Sequence, residues 1–416
     1  MDAPHAKPLI APAADGWRRS PPPGAFMRFA QRLGRITTAA SFDMLARGKA
    51  LEAKGRSVIH LGIGEPDFDT PSFIREAAKR ALDEGWTHYG PAAGLPEFRA
   101  SIAASWKARR GLPCEAKHVV VTPGAKPVLF FAMLSLLEAG DEVIIPSPAF
   151  PNYGSMAQLA EGRVVPTPLA AERGFDLDLD ALRTRINSRT RLIVLNSPHN
   201  PTGAVLPPAT LHALRELVLR HDLTVISDDI YGDMVYEGGY TAFASLPDMF
   251  ERTVTVDGFS KTWAMTGWRL GFGIMNEALA RHMATLMNNS NSCTATFVQK
   301  AGDAALHGPT DEVRAMIEEF RRRRDLVVEG LNAIPGVRCQ KPPGAFYVFP
   351  RIECAGMPAG EIADRLLEEA GVVTLPGTGF GAEGEGYLRL SYANSQENLR
   401  EGVRRIAQFI GRMQPA

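Results

Sequence analysis

Five short apolar runs constrain the fold of this chain more than any other feature. They are Val119–Val121, Glu142–Ile145, Arg191–Leu195, Leu223–Ser227 and Thr253–Val256, all rich in β-branched residues. Each reads as a buried strand, and each stops where polar or glycine-rich residues begin. Helical stretches separate them, among them the segment from Gly124 to Leu137, so apolar that it must be largely covered. Strands alternating with helices predict an α/β fold: a mostly parallel sheet flanked by helices on both faces. In such sheets ligands gather beyond the carboxyl ends of the strands. That rule places Phe150, Asn200, Asp228, Tyr231 and Lys261 around one crevice.

The flanks read differently. Residues 1–34 are rich in Pro, Ala and Arg without sustained periodicity and are expected to be a disordered or loosely docked extension. Ser41–Lys54 has the pattern of an amphipathic helix and Val58–Leu61 that of a short strand. Beyond Thr294 helices dominate up to Asn332, and Gly344–Phe349 and Tyr387–Ser391 are expected strands. The domain reading is therefore 65–300 as the large domain, with 35–64 and 301–416 forming a smaller α+β domain from both ends of the chain. The run Arg321–Arg324 lies in a helical stretch and is expected on a solvated face or in salt bridges.

Forty-six basic and 46 acidic side chains cancel, which gives no bias toward nucleic acid or a membrane surface. No apolar run reaches the roughly 18 residues a membrane helix needs. The four cysteines, Cys114, Cys293, Cys339 and Cys354, are far apart and unaccompanied by metal-ligand spacing. This points to a reducing, cytoplasmic setting without structural metal.

The chemistry concentrates after the fifth strand, in Asp257-Gly-Phe-Ser-Lys261-Thr-Trp-Ala-Met-Thr-Gly-Trp-Arg269. Taken alone, Lys261 reads as an exposed loop lysine. At the end of a buried strand, however, a lysine is costly unless neutralised or bonded. A Schiff base with a carbonyl cofactor neutralises it, and a fixed arginine nearby, Arg269, suits that cofactor's phosphate. The turn Thr122-Pro-Gly124-Ala125-Lys126 opens a helix after a strand, a site whose free N–H groups favour an anion, although it also reads as a plain strand-to-helix turn. Asp228, at a strand end, is a candidate carboxylate for a protonated ring nitrogen or a simple turn former. Its neighbour Asp229 is expected to point the other way. Tyr231 and the Asn200 amide are candidate hydrogen-bonding partners for a ring hydroxyl. Phe150 is either a cover for a ring face or plain core.

The phrase Ser-Lys-Thr-Trp-Ala-Met-Thr-Gly-Trp-Arg resembles the cofactor-lysine signature of the class I and II aminotransferases, which are fold type I enzymes dependent on pyridoxal 5'-phosphate. Gly-Glu-Pro-Asp (beginning at Gly64), Tyr-Gly-Pro-Ala-Ala-Gly (beginning at Tyr89), Asn-Ser-Pro-His-Asn-Pro-Thr-Gly and Tyr-Leu-Arg-Leu-Ser are similar to the same family and occur in its order. The resemblance runs from about Arg35 to Arg405. It implies that Lys261 holds the cofactor and later carries a proton, and that Gly124, Ala125, Lys126 and Arg269 face the phosphate. It further implies that Arg389, with Asn200 and Gly64, binds the substrate's α-carboxylate. Tyr89 would reach the phosphate of the neighbouring subunit in a homodimer. The implied reaction exchanges an amino group between an amino acid and a 2-oxo acid by a ping-pong mechanism.

One departure is visible: many relatives carry a hydroxyl residue three positions before the lysine, and here that place is Gly258, with Ser260 at another offset. For an acidic substrate a second cation is needed. The segment Met287–Ser292 offers none, which leaves Lys126 as candidate selector of aspartate or glutamate, or as one more phosphate-side charge. A β-lyase on the same scaffold starts with the same chemistry and is the rival enzyme. A non-catalytic effector-sensing domain is the rival of another class, and it would need a DNA-binding module that 34 residues are too few to fold.

Overall fold

The computed structural model of the protein describes residue 27 and residues 29–36, 40–353 and 356–413. All five expected strands are present in one eight-stranded sheet. In chain order its strands are β1 (Val119–Thr122), β2 (Glu142–Ser147), β3 (Arg163–Ala170), β4 (Asp176–Leu177), β5 (Thr190–Asn196), β6 (Thr224–Asp228), β7 (Thr253–Gly258) and β8 (Gly271–Ile274). They lie side by side in the order β1-β8-β7-β6-β5-β2-β3-β4. Neighbours from β7 through β3 run parallel, whereas β8 is antiparallel to both of its neighbours and β4 is antiparallel to β3. The mostly parallel sheet is therefore as expected. The antiparallel β8 comes from the Lys261–Arg269 segment folding straight back beside β7.

Register matters more for the site than strand count. Asn196 on β5 lies opposite Asp228 on β6, and Asp228 opposite Val256 on β7, so three strands present their carboxyl ends at one level. Every residue of β2, β7 and β8 is buried. The two sheet faces are covered by different side-chain clusters. One packs Val128, Leu129 and Met133 against Val143, Leu192 and Val254. The other packs Leu211, Leu214 and Val218 against Ile193, Leu195 and Val225. Each such burial contributes about 2 kcal/mol, so both faces fix the sheet against sliding.

Helix α1 (Ala40–Glu52) matches the expected N-terminal helix. The apolar helix α2 (Lys126–Leu136) starts later than the expected Gly124, because Gly124 has φ 88°, a left-handed value incompatible with a helical turn. The remaining helices used below are α3 (Asn152–Leu159), α4 (Asp311–Asn332) and α5 (Gln396–Met413). Of the N-terminal extension, 1–26 and 28 lie outside the described residues. Gln31–Arg35 forms a short 3-10 turn lying on α3.

The two ends of the chain meet: Ile59–His60 pairs in parallel with Val372–Val373. The expected strand Gly344–Phe349 is shorter, with only Tyr347–Val348 in a ladder, paired to Leu388–Ser391. The reason is Ala345, whose φ of 55° breaks the extended backbone. The four-arginine run on α4 divides. Arg321 and Arg322 form exposed pairs with Glu318 and Glu319, while Arg323 and Arg324 are buried and answered by Asp67 and Glu319 and by Glu237 and Asp325.

Candidate active site

A cavity of ≈ 400 Å³ opens beyond the carboxyl ends of β5, β6 and β7. Gly64, Ala125, Lys126, Phe150, Asn200, Asp228, Tyr231, Lys261, Arg269 and Arg389 all line it. Two of the residues expected to bind cofactor or substrate do not. Gly124 lies just behind Arg269. Tyr89 is 89% exposed, away from the cavity of its own chain.

Lys261 projects from the turn after β7, and its Nζ donates to the Gly64 carbonyl at 2.7 Å. Burial pushes its ammonium down to about 8. The Glu65 carboxylate opposes the shift, and Arg389, Arg269 and Lys126 add to it. A lysine so placed is partly neutral near pH 8, as a nucleophile requires.

Asp228 closes β6 at 6% exposure. Its Oδ2 accepts from the Tyr153 hydroxyl at 2.7 Å and its Oδ1 from the Ile230 amide at 3.3 Å. Burial nevertheless raises the carboxyl to about 6, because Tyr153, the Ile230 amide and Lys261 only partly offset it. Asp229 turns away, as alternation requires, and accepts from Ser227 at 2.6 Å.

Arg389 is buried on its strand, with one Nη donating to Asn200 Oδ1 at 3.2 Å and the other to the Gly62 carbonyl. Its Nε is buried without a hydrogen-bond partner among the described residues. An orphaned guanidinium N–H costs about 1–3 kcal/mol, and no ion pair answers the buried charge of Arg389 among the described residues. Tyr347 lies beneath, 4.6 Å from the guanidinium to the ring centre, and its hydroxyl meets that of Tyr231 at 2.7 Å.

Arg269 adopts φ 55°, a left-handed conformation that costs a side-chain-bearing residue about 1–3 kcal/mol and is kept where geometry demands it. Its Nη1 donates to the Thr266 carbonyl at 2.8 Å, and its fork lies where a Cβ on Gly124 would be. Any larger residue at 124 displaces the guanidinium. Lys126 opens α2 with its Nζ 5.5 Å from the Phe150 ring centre, and burial and the nearby Arg269 lower its pKa. Two cations, Lys126 and Arg269, thus line the cavity beside the start of α2, together with the buried Asp228 carboxyl and a second guanidinium, that of Arg389.

Gly258 does not reach the cavity. It lies inside β7, where a Cβ would come within 3.0 Å of Gly271 Cα. Ser260, the hydroxyl at the other offset, does line it. Sequence reasoning missed Tyr153, Asn196, Glu65 and Tyr347. Asn196 Oδ1 accepts from the Asn200 amide at 2.8 Å, and its Nδ2 donates to the Asp228 carbonyl at 2.9 Å. The signal for Asn196 is its place as the first polar residue after the expected strand Arg191–Leu195. Tyr153 carried none beyond proximity to Phe150.

The class I and II aminotransferase family matches residues 56–406. An aspartate aminotransferase of Pyrococcus horikoshii is 44% identical, covering 92% of this chain and 97% of its own length. An aromatic-amino-acid aminotransferase of Thermococcus litoralis is 42% identical over 85% of this chain and 92% of its own. Among solved structures, an aspartate aminotransferase of Rhizobium meliloti superposes with a TM-score of 0.89 at 38% identity, covering 93% of this chain and all of the other. A double mutant of the Thermus thermophilus enzyme gives 0.87 at 39%, covering 92% and 100%. The match spans most of the chain, and the solved relatives superpose along it: the chain belongs to the class I and II aminotransferases, enzymes that use pyridoxal 5'-phosphate to move an amino group between an amino acid and a 2-oxo acid.

Proposed function

We propose that this transaminase holds its substrate by the α-carboxylate on Arg389 and accepts acidic side chains through Lys126. The observation that carries the first part is the buried Arg389 guanidinium lining the cavity with no acid against it among the described residues. Asn200 and Gly62 each take one N–H of an Nη group, which leaves one N–H on each Nη for a carboxylate arriving from the cavity.

The donor set fits the cofactor. Gly124 and Ala125 at the start of α2, Lys126, Ser260 and Arg269 would hold the phosphate. Asp228 would face the ring nitrogen, with Tyr153 and Asn196 keeping that carboxylate and its strand end in place. Asn200 Nδ2, which has no protein partner among the described residues, and the Tyr231 hydroxyl would meet the ring hydroxyl. Phe150 would cover a ring face. Bound pyridoxal phosphate supplies a carbonyl that captures the amino group and a ring that draws electrons from the adjoining carbon. Lys261 then moves the proton from the substrate's α-carbon, its lowered pKa letting it both take and return that proton near neutral pH.

For the side chain, Lys126 is the remaining cation. The wall of Phe42, Ile63, Leu129 and Phe150 is apolar and favours a second class of substrates, aromatic or aliphatic, in the same cavity. The named relatives include an aspartate and an aromatic-amino-acid enzyme, in line with either use. Kinetics across aspartate, alanine and phenylalanine separate the roles. Arg389→Lys is expected to lower kcat/KM by about 30- to 1000-fold for all three, the worth of about 2–4 kcal/mol in a lost bidentate pair. Lys126→Ala is expected to depress aspartate far more than the other two. An Arg389→Lys loss confined to aspartate would reassign Arg389 to the side chain, and equal losses in Lys126→Ala would reduce Lys126 to a phosphate ligand.

The same reading makes residues 35–64 and 301–416 a small domain against the large domain 65–300, and places the enzyme in the cytoplasm, where free thiols such as Cys114, Cys293 and Cys339 persist. Among the described residues no helix is long and apolar enough to cross a membrane. It also makes the working unit a homodimer, supported by Tyr89 standing outside its own cavity. Light scattering is expected to return twice the chain's mass; a monomeric mass with full activity would leave Tyr89 without its role.

A further inference from the structure

The loop 62–70 ties three regions together, and its hydrogen bonds converge on the reactive groups. The Gly62 carbonyl accepts from Arg389, and the Gly64 carbonyl accepts from Lys261 Nζ at 2.7 Å. Glu65 accepts from the Thr266 hydroxyl, two residues after which the chain enters the Arg269 turn. Thr70 Oγ1 donates to the Ala264 carbonyl at 2.7 Å and accepts from Trp268 Nε1 at 2.9 Å. The loop therefore spans the lysine turn on one side and the carboxylate-binding arginine on the other.

What fixes this loop from behind is α4. Arg323, with 8% of its side chain exposed, donates through Nη1 to Asp67 Oδ1 at 2.7 Å and through Nε to Glu319 Oε1 at 3.0 Å. Its guanidinium lies 4.9 Å from the Phe68 ring centre and 5.6 Å from that of Phe320. Phe68 in turn meets Phe320 edge-on at 5.4 Å. Glu319 is braced by Gln396 Nε2 of α5 at 3.0 Å. A planar cation with two acids at its edge and two rings at its faces has no freedom to shift, and a lysine cannot reproduce that fork.

We infer that Arg323 is a positioning residue for transamination: clamped between Asp67 and Glu319, it holds the 62–70 loop so that the Gly62 and Gly64 carbonyls stay on Arg389 and Lys261. Arg323 touches neither cavity nor substrate. It acts through Asp67 and the five backbone positions that precede it. This rests on the reading of Arg389 as the carboxylate-binding residue, and the test keeps the two apart.

The probe is maleate, a dicarboxylate that cannot react, bound to the holoenzyme and followed by the change in cofactor absorbance. Arg323→Ala is expected to weaken maleate about tenfold or more and to lower kcat/KM for aspartate and alanine alike by about 10- to 100-fold, the scale of a displacement near 1 Å. Arg323→Lys is expected to recover part of both, since an ammonium reaches one acid but not two. Asp67 is exposed, so Asp67→Asn keeps the fold and decides the matter if Arg323→Ala does not fold; it is expected to change both quantities in the same direction. The inference is overturned if these variants, folded by circular dichroism, bind maleate as the wild type does. Arg389→Lys is the control: undiminished maleate binding there overturns the reading of Arg389 itself, whereas loss there with wild-type binding in the Arg323 and Asp67 variants overturns the loop's role alone.

Discussion

Lys261→Ala is expected to lower kcat by about four orders of magnitude or more, the combined loss of a nucleophile and of a general acid–base group. No neighbour substitutes for it. Lys126 also lines the cavity, but it stands beside Arg269 at the start of α2, whereas Lys261 is held on the Gly64 carbonyl between Glu65 and Arg389. Borohydride reduction of the holoenzyme followed by peptide mapping should fix the cofactor on Lys261. The pH dependence follows from the same burial. The amine form, not the ammonium, captures a carbonyl, and burial brings the pKa down to about 8. Capture of added cofactor by the cofactor-free protein should therefore speed up as pH rises through about 8, rather than near the ordinary lysine value of about 10.4. Label on Lys126, or a Lys261→Ala enzyme within tenfold of wild type, would remove Lys261 from the centre of the mechanism.

Why one lysine among many could be singled out is a matter of local pattern. β-branched runs that end abruptly in polar residues report both a strand and the end of the sheet where ligands collect. That pattern groups Phe150, Asn200, Asp228, Tyr231 and Lys261 around one crevice. The pattern fails wherever the partner is distant and the element short. Tyr153 looks like one more aromatic on an amphipathic helix, and its hydrogen bond reaches 75 residues along the chain to Asp228. Tyr347 sits in a two-residue ladder that begins only after the left-handed Ala345. Gly258 is an unexpected residue type at its place, yet its inaccessibility follows from packing against β8, an antiparallel neighbour that periodicity alone does not announce. Similarly, four consecutive arginines read as a solvated face or as salt-bridge partners, and all four do form ion pairs, but the pattern does not say which are buried. Only the packing of α4 against the 62–70 loop buries the third, and only a cluster of Glu237, Asp325 and the Pro342 carbonyl buries the fourth.

Asp228→Asn is expected to slow exchange of the substrate's α-hydrogen by about 10²- to 10³-fold while leaving the fold and much of the cofactor affinity in place. Asparagine matches aspartate in volume, and its side-chain oxygen still accepts the Tyr153 hydroxyl, so the change is confined to charge. In the free protein burial holds this carboxyl up at about 6, because no cation lies against it strongly enough to cancel the desolvation. A protonated ring nitrogen would be such a cation, and the buried Asp228 would keep it charged so that the ring could draw electrons from the α-carbon; a preorganised charge of this kind is worth about 3–4 kcal/mol. Asp229 supplies the internal comparison. Burial raises it to about 7, it bonds Ser227 rather than Tyr153, and it faces away from the cavity. Asp229→Asn should therefore leave exchange within a fewfold of wild type. Deuterium washout from the α-carbon of aspartate, followed by proton NMR, measures both. If Asp228→Asn exchanges at the wild-type rate, or if Asp229→Asn shows the larger loss, the carboxylate that keeps the ring protonated is not Asp228.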